Sequence, residues 1–252
     1  MIATNYRVSI VTVCYNSAAT IEDTIQSVLK QNRKDVQHII IDGGSTDNTL
    51  EIVNKYREAY GERLSIVSES DKGIYDAMNK GVRLAEGDMI GILNSDDYYA
   101  TDKVLDHVVL MLNSNPQLIY GNLRIIDDQN GRILRTWNPG YGNYMRGWIP
   151  PHPTLFISKK LYHQVGEYDL SYKISADYDM MIRCLAKVAK TEIIYVDDDF
   201  VHMRIGGASN SGVKSIIEGI VQINSILKKN KVPFRVVVNG LRLIKKLNQY
   251  KG

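Results

Sequence analysis

Two adjacent carboxylates, Asp96 and Asp97, follow an apolar run with the composition of a buried strand. Adjacent acids repel each other and lose hydration energy when partly buried, so a strand end is a poor place for them unless something cationic binds there. A turn leading to a helix capped by Thr101 or Asp102 accommodates the same acids without a ligand. The neighbouring strand ends decide between these interpretations.

The elements that must position these acids are four strands, each followed by a helix. "VSIVTV" has the β-branched composition of a strand buried on both faces, and "ATIEDTIQSVLKQ" after it carries apolar residues at helical spacing. The alternation recurs in "VQHIIID" with "NTLEIVNKYREAY", "LSIVSE" with "GIYDAMNKGVRLA", and "DMIGIL" with "DKVLDHVVLML". Such units predict a doubly wound, mostly parallel α/β sheet.

Ligands bind to such sheets beyond the carboxyl ends of the strands. Polar residues follow all four predicted strands: Tyr15 and Asn16, Asp42, Glu69 and Asp71, and Asp96 and Asp97. Because these ends share one edge of the sheet, the pattern indicates a single concave site and makes the turn alone a weaker explanation.

The second half of the chain reads differently, with short β-like segments and a loop rich in Gly, Pro and aromatic residues. No Ser- or Gly-rich linker separates the halves. We therefore expect one domain over residues 1–212, with a ligand-binding half at 1–117 and a half that completes the sheet at 118–212. The loop aromatics suit either a sugar ring or the core: Trp137, Tyr141, Tyr144 and Trp148.

Residues 213–252 form a basic tail predicted to hold two helices around Pro233. It carries nine Lys and Arg residues against the single acid Glu218. A basic amphipathic helix is typical of a membrane surface, and a helix packed on the domain with its cations in water explains the pattern equally well.

Composition excludes several classes of protein. A net charge of +3 is too small to indicate nucleic acid as the main partner, and no apolar run approaches the roughly 20 residues that span a bilayer. Cys14 and Cys184 lack metal-type spacing and are expected to be reduced core thiols. Without a signal-peptide pattern near Met1, these features predict a cytoplasmic protein.

A family resemblance rests on three segments of the first half and one of the second. "VSIVTVCYNSAATIEDTIQSVLKQ", "IIIDGGSTDNT" and "ESDKGIYDAMNKGVRLAEGDMIGILNSDD" resemble the donor-binding half of family 2 glycosyltransferases of the GT-A fold, above all those that build bacterial O-antigen and capsule. The resemblance continues through "PPHPTLFISKKLYHQVGEYDLSYKISADYDMMIRCLAK". It implies a GT-A, Rossmann-like α/β fold, to which the sequence pattern adds a helical basic tail.

The resemblance implies a nucleotide-sugar site at the strand ends. "NSD" occupies the family's D-x-D position, which makes Asp96 the ligand of a Mn²⁺ or Mg²⁺ ion that bridges the donor diphosphate. Asn94 replaces a carboxylate of that motif, and Gly43 stands where the family often has a second acid. The residues implied in nucleotide binding are Val13, Tyr15, Asp42, Asp71, Gly73, Asn94 and Ser95.

The resemblance also implies residues on the acceptor side. "SADYDMMIRC" is similar to the segment whose acid deprotonates the acceptor hydroxyl, which makes Asp177 the general base, although a helix cap explains the same carboxylate. Asp179 is expected to point away from Asp177 and to face solvent or cap locally. "VHMRIGGAS" resembles a late segment in which a His approaches the metal, here His202. Trp148 and His152 are the candidate acceptor-binding residues.

These patterns predict an inverting glycosyltransferase that extends a lipid-linked glycan at the inner face of the cell membrane. One base and one metal suffice for direct displacement, which inverts the sugar. Two alternatives remain open. A nucleotidyltransferase needs a Gly-rich, basic loop after the first strand, where this chain has "CYNSAAT", and Asn94 and Gly43 are compatible with an inactive nucleotide-sugar or glycan-binding scaffold.

Overall fold

A computed structural model describes residues 7–31, 33–205 and 213–249, and within them one mixed sheet is flanked by helices. The strands are β1 (Val8–Cys14), β2 (Val36–Asp42), β3 (Leu64–Ser68), β4 (Met89–Ile92), β5 (Asp97–Tyr99), β6 (Leu118–Asp127), β7 (Arg132–Trp137), β8 (Phe156–Ser158) and β9 (Ile193–Arg204). The α-helices are α1 (Ile21–Leu29), α2 (Thr49–Lys55), α3 (Arg57–Tyr60), α4 (Ile74–Leu84), α5 (Val104–Met111), α6 (Lys159–Val165), α7 (Ala176–Lys187), α8 (Val213–Lys229) and α9 (Arg235–Asn248). Among the described helices, none combines the length and apolarity that a bilayer crossing requires.

The sheet runs in the order β3-β2-β1-β4-β8-β6-β9-β5, with β7 paired to β6. The first four strands in this order are parallel, as the alternating strands and helices predict. Strand β8 is antiparallel to β4 and β6, and β9 is parallel to β6. The second half of the chain therefore continues the same sheet, and the α/β class expected from the sequence is confirmed.

Neighbouring residues of β1 face opposite sides of the sheet and enter two cores. Ile10 packs with α1 and α5 on one side, while Val11 packs with α4 and α7 on the other. Helix α4 approaches β1 closely at Gly81, where an added Cβ would lie 2.2 Å from Val11 Cγ1. Burial on both sides holds the strand ends of the first half in fixed positions. The buried free thiols Cys14 and Cys184 lie one in each core.

The two tail helices pack on the domain through one side and expose apolar residues on the other. Ile226, Leu227 and Val238 are almost fully buried in the core. Gly147 fits against α9 so closely that an added Cβ would lie 2.6 Å from Arg242 N. The large apolar side chains left exposed on the tail are Ile217, Val221, Phe234, Val236, Val237, Leu241, Ile244 and Leu247.

Candidate active site

The loops after β1, β2 and β4 are tied together by hydrogen bonds. Asn16 Oδ1 accepts from Thr46 N at 2.8 Å, and Ala18 N donates to Asp47 Oδ2 at 3.0 Å. Ser95, a predicted nucleotide-binding residue, donates to Ser17 Oγ at 2.8 Å. These bonds join chain segments far apart in sequence into one edge.

Tyr15, Gly43 and Asp71 meet at this edge. A Cβ added to Gly43 would lie 2.5 Å from Asp71 Oδ2 and 3.6 Å from a Tyr15 ring carbon. Tyr15 is 62% exposed, so its ring is open to a ligand. Asp71 also accepts from Gly73 N at 2.8 Å, which fixes the start of α4. The predicted nucleotide-binding residues of these loops therefore lie side by side.

Asp42 and Val13 are less accessible than the other predicted nucleotide-binding residues. The Asp42 carboxylate is fully buried and accepts from Ser68 Oγ at 2.7 Å and from Ser45 N at 3.1 Å. It therefore shapes the loop after β2. Val13 is 4% exposed and pairs with Ile41, so its side chain belongs to the core.

Asp96 and Asp97 have different environments at the end of β4. Asp97 is 1% exposed, and burial together with the charge of Asp96 holds the pKa of Asp97 well above its ordinary range. Asn94 Nδ2 donates to Asp97 Oδ2 at 3.3 Å. Asp96 is half-buried, and burial raises the pKa of Asp96 while Arg204 opposes that rise.

Oxygen atoms near Asp96 fit a hard divalent cation. Asn94 Oδ1 and Asp97 Oδ1 are buried and accept no hydrogen bond. In the described part of the chain, no set of three or more His, Cys, Asp or Glu side chains is placed to hold a metal by itself. A Mg²⁺ or Mn²⁺ ion commonly takes one or two protein carboxylates and completes its shell with substrate phosphates and water. The carboxylate of Asp96 and the neighbouring oxygens at the end of β4 match this way of binding a metal.

Arg204, which the sequence interpretation missed, holds the main chain at Asp96. Its Nη1 donates to Asp96 O at 3.2 Å, its Nε forms an ion pair with Asp128 at 2.8 Å, and Nη2 lies 2.5 Å from Asp23 Oδ2. Its guanidinium also lies over Tyr98, 4.8 Å from the ring centroid. The only sequence signal for Arg204 was that "VHMR" stands at the end of a strand, where site residues are expected.

His202 pairs with Tyr98 across β5 and β9, with ring centroids 5.5 Å apart. Burial lowers the pKa of His202, and the charges acting on it are those of Asp199 and Arg124. No contact in the described ranges joins His202 to Asp96, so its role as a metal ligand stays a prediction. Residues 206–209 of the "VHMRIGGAS" segment lie outside the described residues.

Asp177 lies in the first turn of α7, behind the N-cap residue Ser175. Its Oδ1 accepts from Tyr75 OH at 3.2 Å, and the same hydroxyl donates to Ile174 O at 2.7 Å. Tyr75 stacks on Tyr168, with centroids 5.9 Å apart. The half-buried carboxylate is thus oriented by a phenol on α4 that the sequence interpretation did not identify.

The expectation that Asp179 faces solvent is wrong. Asp179 is fully buried and forms ion pairs with Arg183 at 2.8 Å and Lys229 at 3.4 Å. Asn230 Nδ2 donates to Asp179 Oδ1 at 3.0 Å. Because Lys229 and Asn230 come from the end of α8, Asp179 serves to anchor the tail.

A cavity of about 750 Å³ brings the donor and acceptor sides together. Asn94 and Asp177 both line it, as do the predicted acceptor residues Trp148 and His152. His152 bonds to Tyr168 OH at 3.0 Å, and burial lowers the pKa of His152 while Asp177 opposes that shift. Trp148 is 9% exposed and donates to Pro139 O at 2.8 Å, so most of its ring is core.

One side of this cavity is built by α9. The helix contributes Arg242, Leu243, Lys245 and Lys246, and Gln249 directly after the helix and Arg135 on β7 join them. The sequence placed these cations in water or on a membrane. Arg242, Lys245 and Lys246 are three and four residues apart along α9, so they share one face of the helix. This spacing could have predicted the cluster from the sequence.

Sequence comparison matches residues 9–173 to the family described as Glycosyl transferase family 2. A "PGL/p-HBAD biosynthesis glycosyltransferase" of Mycobacterium bovis is 32% identical over 191 residues, covering 72% of this chain and 70% of that protein. The Escherichia coli "UDP-Glc:alpha-D-GlcNAc-diphosphoundecaprenol beta-1,3-glucosyltransferase WfaP" is 27% identical over 223 residues, covering 87% and 86%.

Solved structures share the fold. S. aureus TarS in complex with UDP-GlcNAc matches 96% of this chain and 72% of its own, with a TM-score of 0.70 and 18% identity. A mannosyltransferase of Pyrobaculum calidifontis in complex with GDP-Man and Mn²⁺ matches 95% and 70%, with a TM-score of 0.67 and 16% identity.

Proposed function

The chain belongs to glycosyl transferase family 2, and from that premise we propose that it is an inverting, metal-dependent enzyme that transfers a sugar from a nucleotide-sugar donor to a lipid-linked glycan. The observation that carries the proposal is the cavity shared by Asn94 at the donor edge and Asp177 on the acceptor side. The family match does not favour the scaffold or nucleotidyltransferase alternatives.

In this proposal the acceptor hydroxyl oxygen attacks C1 of the donor sugar as its proton passes to Asp177. The C1–O bond to the diphosphate breaks, and its electron pair leaves with the nucleoside diphosphate. Tyr75 holds Oδ1 of Asp177, and no described residue donates a hydrogen bond to Oδ2, which is free to take the proton. Attack opposite the leaving group inverts C1.

Asp96 and Asn94 are the residues that would hold Mn²⁺ or Mg²⁺. Such an ion neutralises the charge that develops on the leaving diphosphate. Arg204 fixes the main chain at Asp96, so the carboxylate is positioned before the donor arrives.

Two observations support a lipid-linked acceptor in surface polysaccharide synthesis, such as O-antigen or capsule. The name of the E. coli relative specifies a diphosphoundecaprenol acceptor. The tail also exposes apolar side chains, among them Phe234 (82%) and Val237 (60%), beside its cations. An apolar face with basic flanks suits peripheral binding to the anionic inner face of the cell membrane.

Donor binding is tested by thermal unfolding with UDP-, GDP- and dTDP-sugars, each with and without Mn²⁺ or Mg²⁺. A ligand at 100 times its Kd adds about 2.7 kcal/mol to the free energy of unfolding, or about 5–10 °C for a chain of this size. We expect one nucleotide class to give this shift only with metal. No shift with any of them would contradict the proposal.

The base is tested with Asp177→Asn, using Asp106→Asn in the first turn of α5 as the matched control. We expect Asp177→Asn to keep donor affinity and to lower kcat by about 10²–10⁴-fold, whereas the control keeps its rate. Transfer at an unchanged rate in Asp177→Asn would place the base elsewhere.

Membrane binding is tested by flotation with anionic vesicles. Deleting the tail would remove Leu227 and Val238 from the core and expose the residues that they cover, so point changes are preferable. We expect Phe234→Ser with Val237→Ser to reduce flotation. Leu110 on α5 is as exposed as Val237, and we expect Leu110→Ser to leave flotation unchanged. Equal flotation by all three proteins would contradict the membrane assignment.

A further inference from the structure

Four cations lie together on one side of the cavity, and we call them the cationic wall: Arg135, Arg242, Lys245 and Lys246. They come from β7 and α9, which are held together where Arg135 Nε donates to Gln249 Oε1 at 2.8 Å. The wall therefore exists only because the tail packs on the domain.

Within the wall, Arg135 is buried and Arg242 is half-buried, whereas Lys245 and Lys246 are exposed. Arg135 is 7% exposed and lies over Trp137, 5.1 Å from the ring centroid. In the described ranges, Arg242, Lys245 and Lys246 form no ion pair with a carboxylate. Burial lowers the pKa of Arg242, and burial with the charges of Arg135 and Arg242 lowers the pKa of Lys246. Clustered cations are unfavourable unless an anion joins them.

The wall lies on the acceptor side of the reaction. Arg242 is close enough to Asp177 to feel its charge, and its guanidinium lies 5.9 Å from the centroid of the Tyr178 ring. In the proposed function, the donor diphosphate lies at Asn94 and Asp96. An anionic group bound by the wall, near the general base, would therefore belong to the acceptor.

We propose that the cationic wall binds the diphosphate that joins the acceptor sugar to its lipid. This inference rests on the proposed function and names the part of the acceptor that is recognised. The first sugar then lies between the wall and Asp177, and the lipid leaves toward the exposed apolar side of α9, which carries Val237, Leu241 and Ile244. Guanidinium and ammonium groups are the usual partners of such phosphates.

Intrinsic fluorescence gives a direct readout, because the chain's two tryptophans, Trp137 and Trp148, both line this cavity. The probe is farnesyl diphosphate, which carries the diphosphate and a short lipid but no sugar. Inorganic pyrophosphate and farnesol are titrated in parallel to separate the two parts. Calorimetry with UDP, GDP and dTDP, each with Mn²⁺, reports the donor site independently.

The test variant is Lys245→Gln with Lys246→Gln, and the matched control is Lys228→Gln with Lys231→Gln, two exposed tail lysines outside the cavity. We expect farnesyl diphosphate to bind the native chain and the control alike, and the test variant to bind it about tenfold or more weakly. Pyrophosphate and farnesol should each bind more weakly than the joined probe. Donor-nucleotide affinity should be the same in all three proteins.

Equal binding of farnesyl diphosphate by test and control variants, or no binding at all, would overturn the inference while leaving the donor results intact. Pyrophosphate binding as tight as that of the farnesyl probe would overturn the assignment to a lipid-linked acceptor. Failure of every nucleotide and nucleotide sugar to bind would instead refute the proposed function.

Discussion

Gly147 determines whether α9 can form its side of the cavity, and replacing it by alanine tests that packing. Gly147 follows the short helix Tyr144–Arg146 with φ +70°, a left-handed conformation that suits glycine. An added Cβ would lie 2.6 Å from Arg242 N and 2.7 Å from Val238 O. Both atoms belong to the main chain of α9, so no side-chain movement relieves the contact.

The cost of Gly147→Ala has two parts. A left-handed alanine costs roughly 1–2 kcal/mol, and forcing extra volume into a packed contact costs roughly another 1–3 kcal/mol. Gly131→Ala is the matched control, because Gly131 has φ +69° and no atom within 4 Å of the added Cβ. The control therefore carries only the conformational cost.

Urea unfolding of both variants measures the difference. We expect Gly147→Ala to lower the free energy of unfolding by about 2–5 kcal/mol and Gly131→Ala by about 1–2 kcal/mol. We also expect faster proteolysis of the tail in Gly147→Ala alone, because α9 must move away. Equal losses in both variants, with equal proteolysis, would refute the close packing of α9 on the domain.

Asp96→Ala should abolish the Mn²⁺-dependent part of nucleotide affinity in calorimetry. An unchanged metal effect in this variant would contradict the role of Asp96 as ligand. Tyr75→Phe removes the hydroxyl that holds Asp177 and should lower kcat about 3–30-fold without changing donor affinity; unchanged kcat would show that the hydroxyl positions nothing. Burial lowers the pKa of His38 to about 3 in the folded chain. Below pH 6.5 the unfolded chain therefore binds this proton and the folded chain does not, so the free energy of unfolding falls by about 2 kcal/mol at pH 5. His38→Gln should lose this part of the pH dependence in urea unfolding. The same pH dependence in the variant and the native chain would contradict the role of His38.

The sequence predicted the elements of the first half because each buried strand leaves a local signal. Strands β1 to β4 are short runs of β-branched and apolar residues, and a helix with its own apolar spacing follows each of them, after β4 only beyond the short strand β5, which the sequence did not predict. The edge where the strands end could then be predicted from general rules for parallel sheets. Tyr15 and Asp71 were placed together on that basis, and they do lie side by side.

Contacts between distant segments could not be predicted in this way. Asp179 resembles a surface residue when only α7 is considered, and its partners Lys229 and Asn230 are about 50 residues away. The hydroxyl of Tyr75 is likewise directed at Asp177 by the packing of α4 against the segment before α7. Side-chain direction at such points depends on tertiary packing, which a local pattern does not record.

Because α9 lies near the end of the chain, its side of the cavity is the last part of the site to be synthesised. The strand ends that carry the predicted donor residues belong to the first hundred residues to be synthesised, whereas Arg242 follows much later. In the proposed function, the donor edge is therefore synthesised before the side of the cavity that faces the acceptor. A chain that ended at the start of α9 would lack both this side of the cavity and the buried Val238, so it would lose core packing together with the cationic wall.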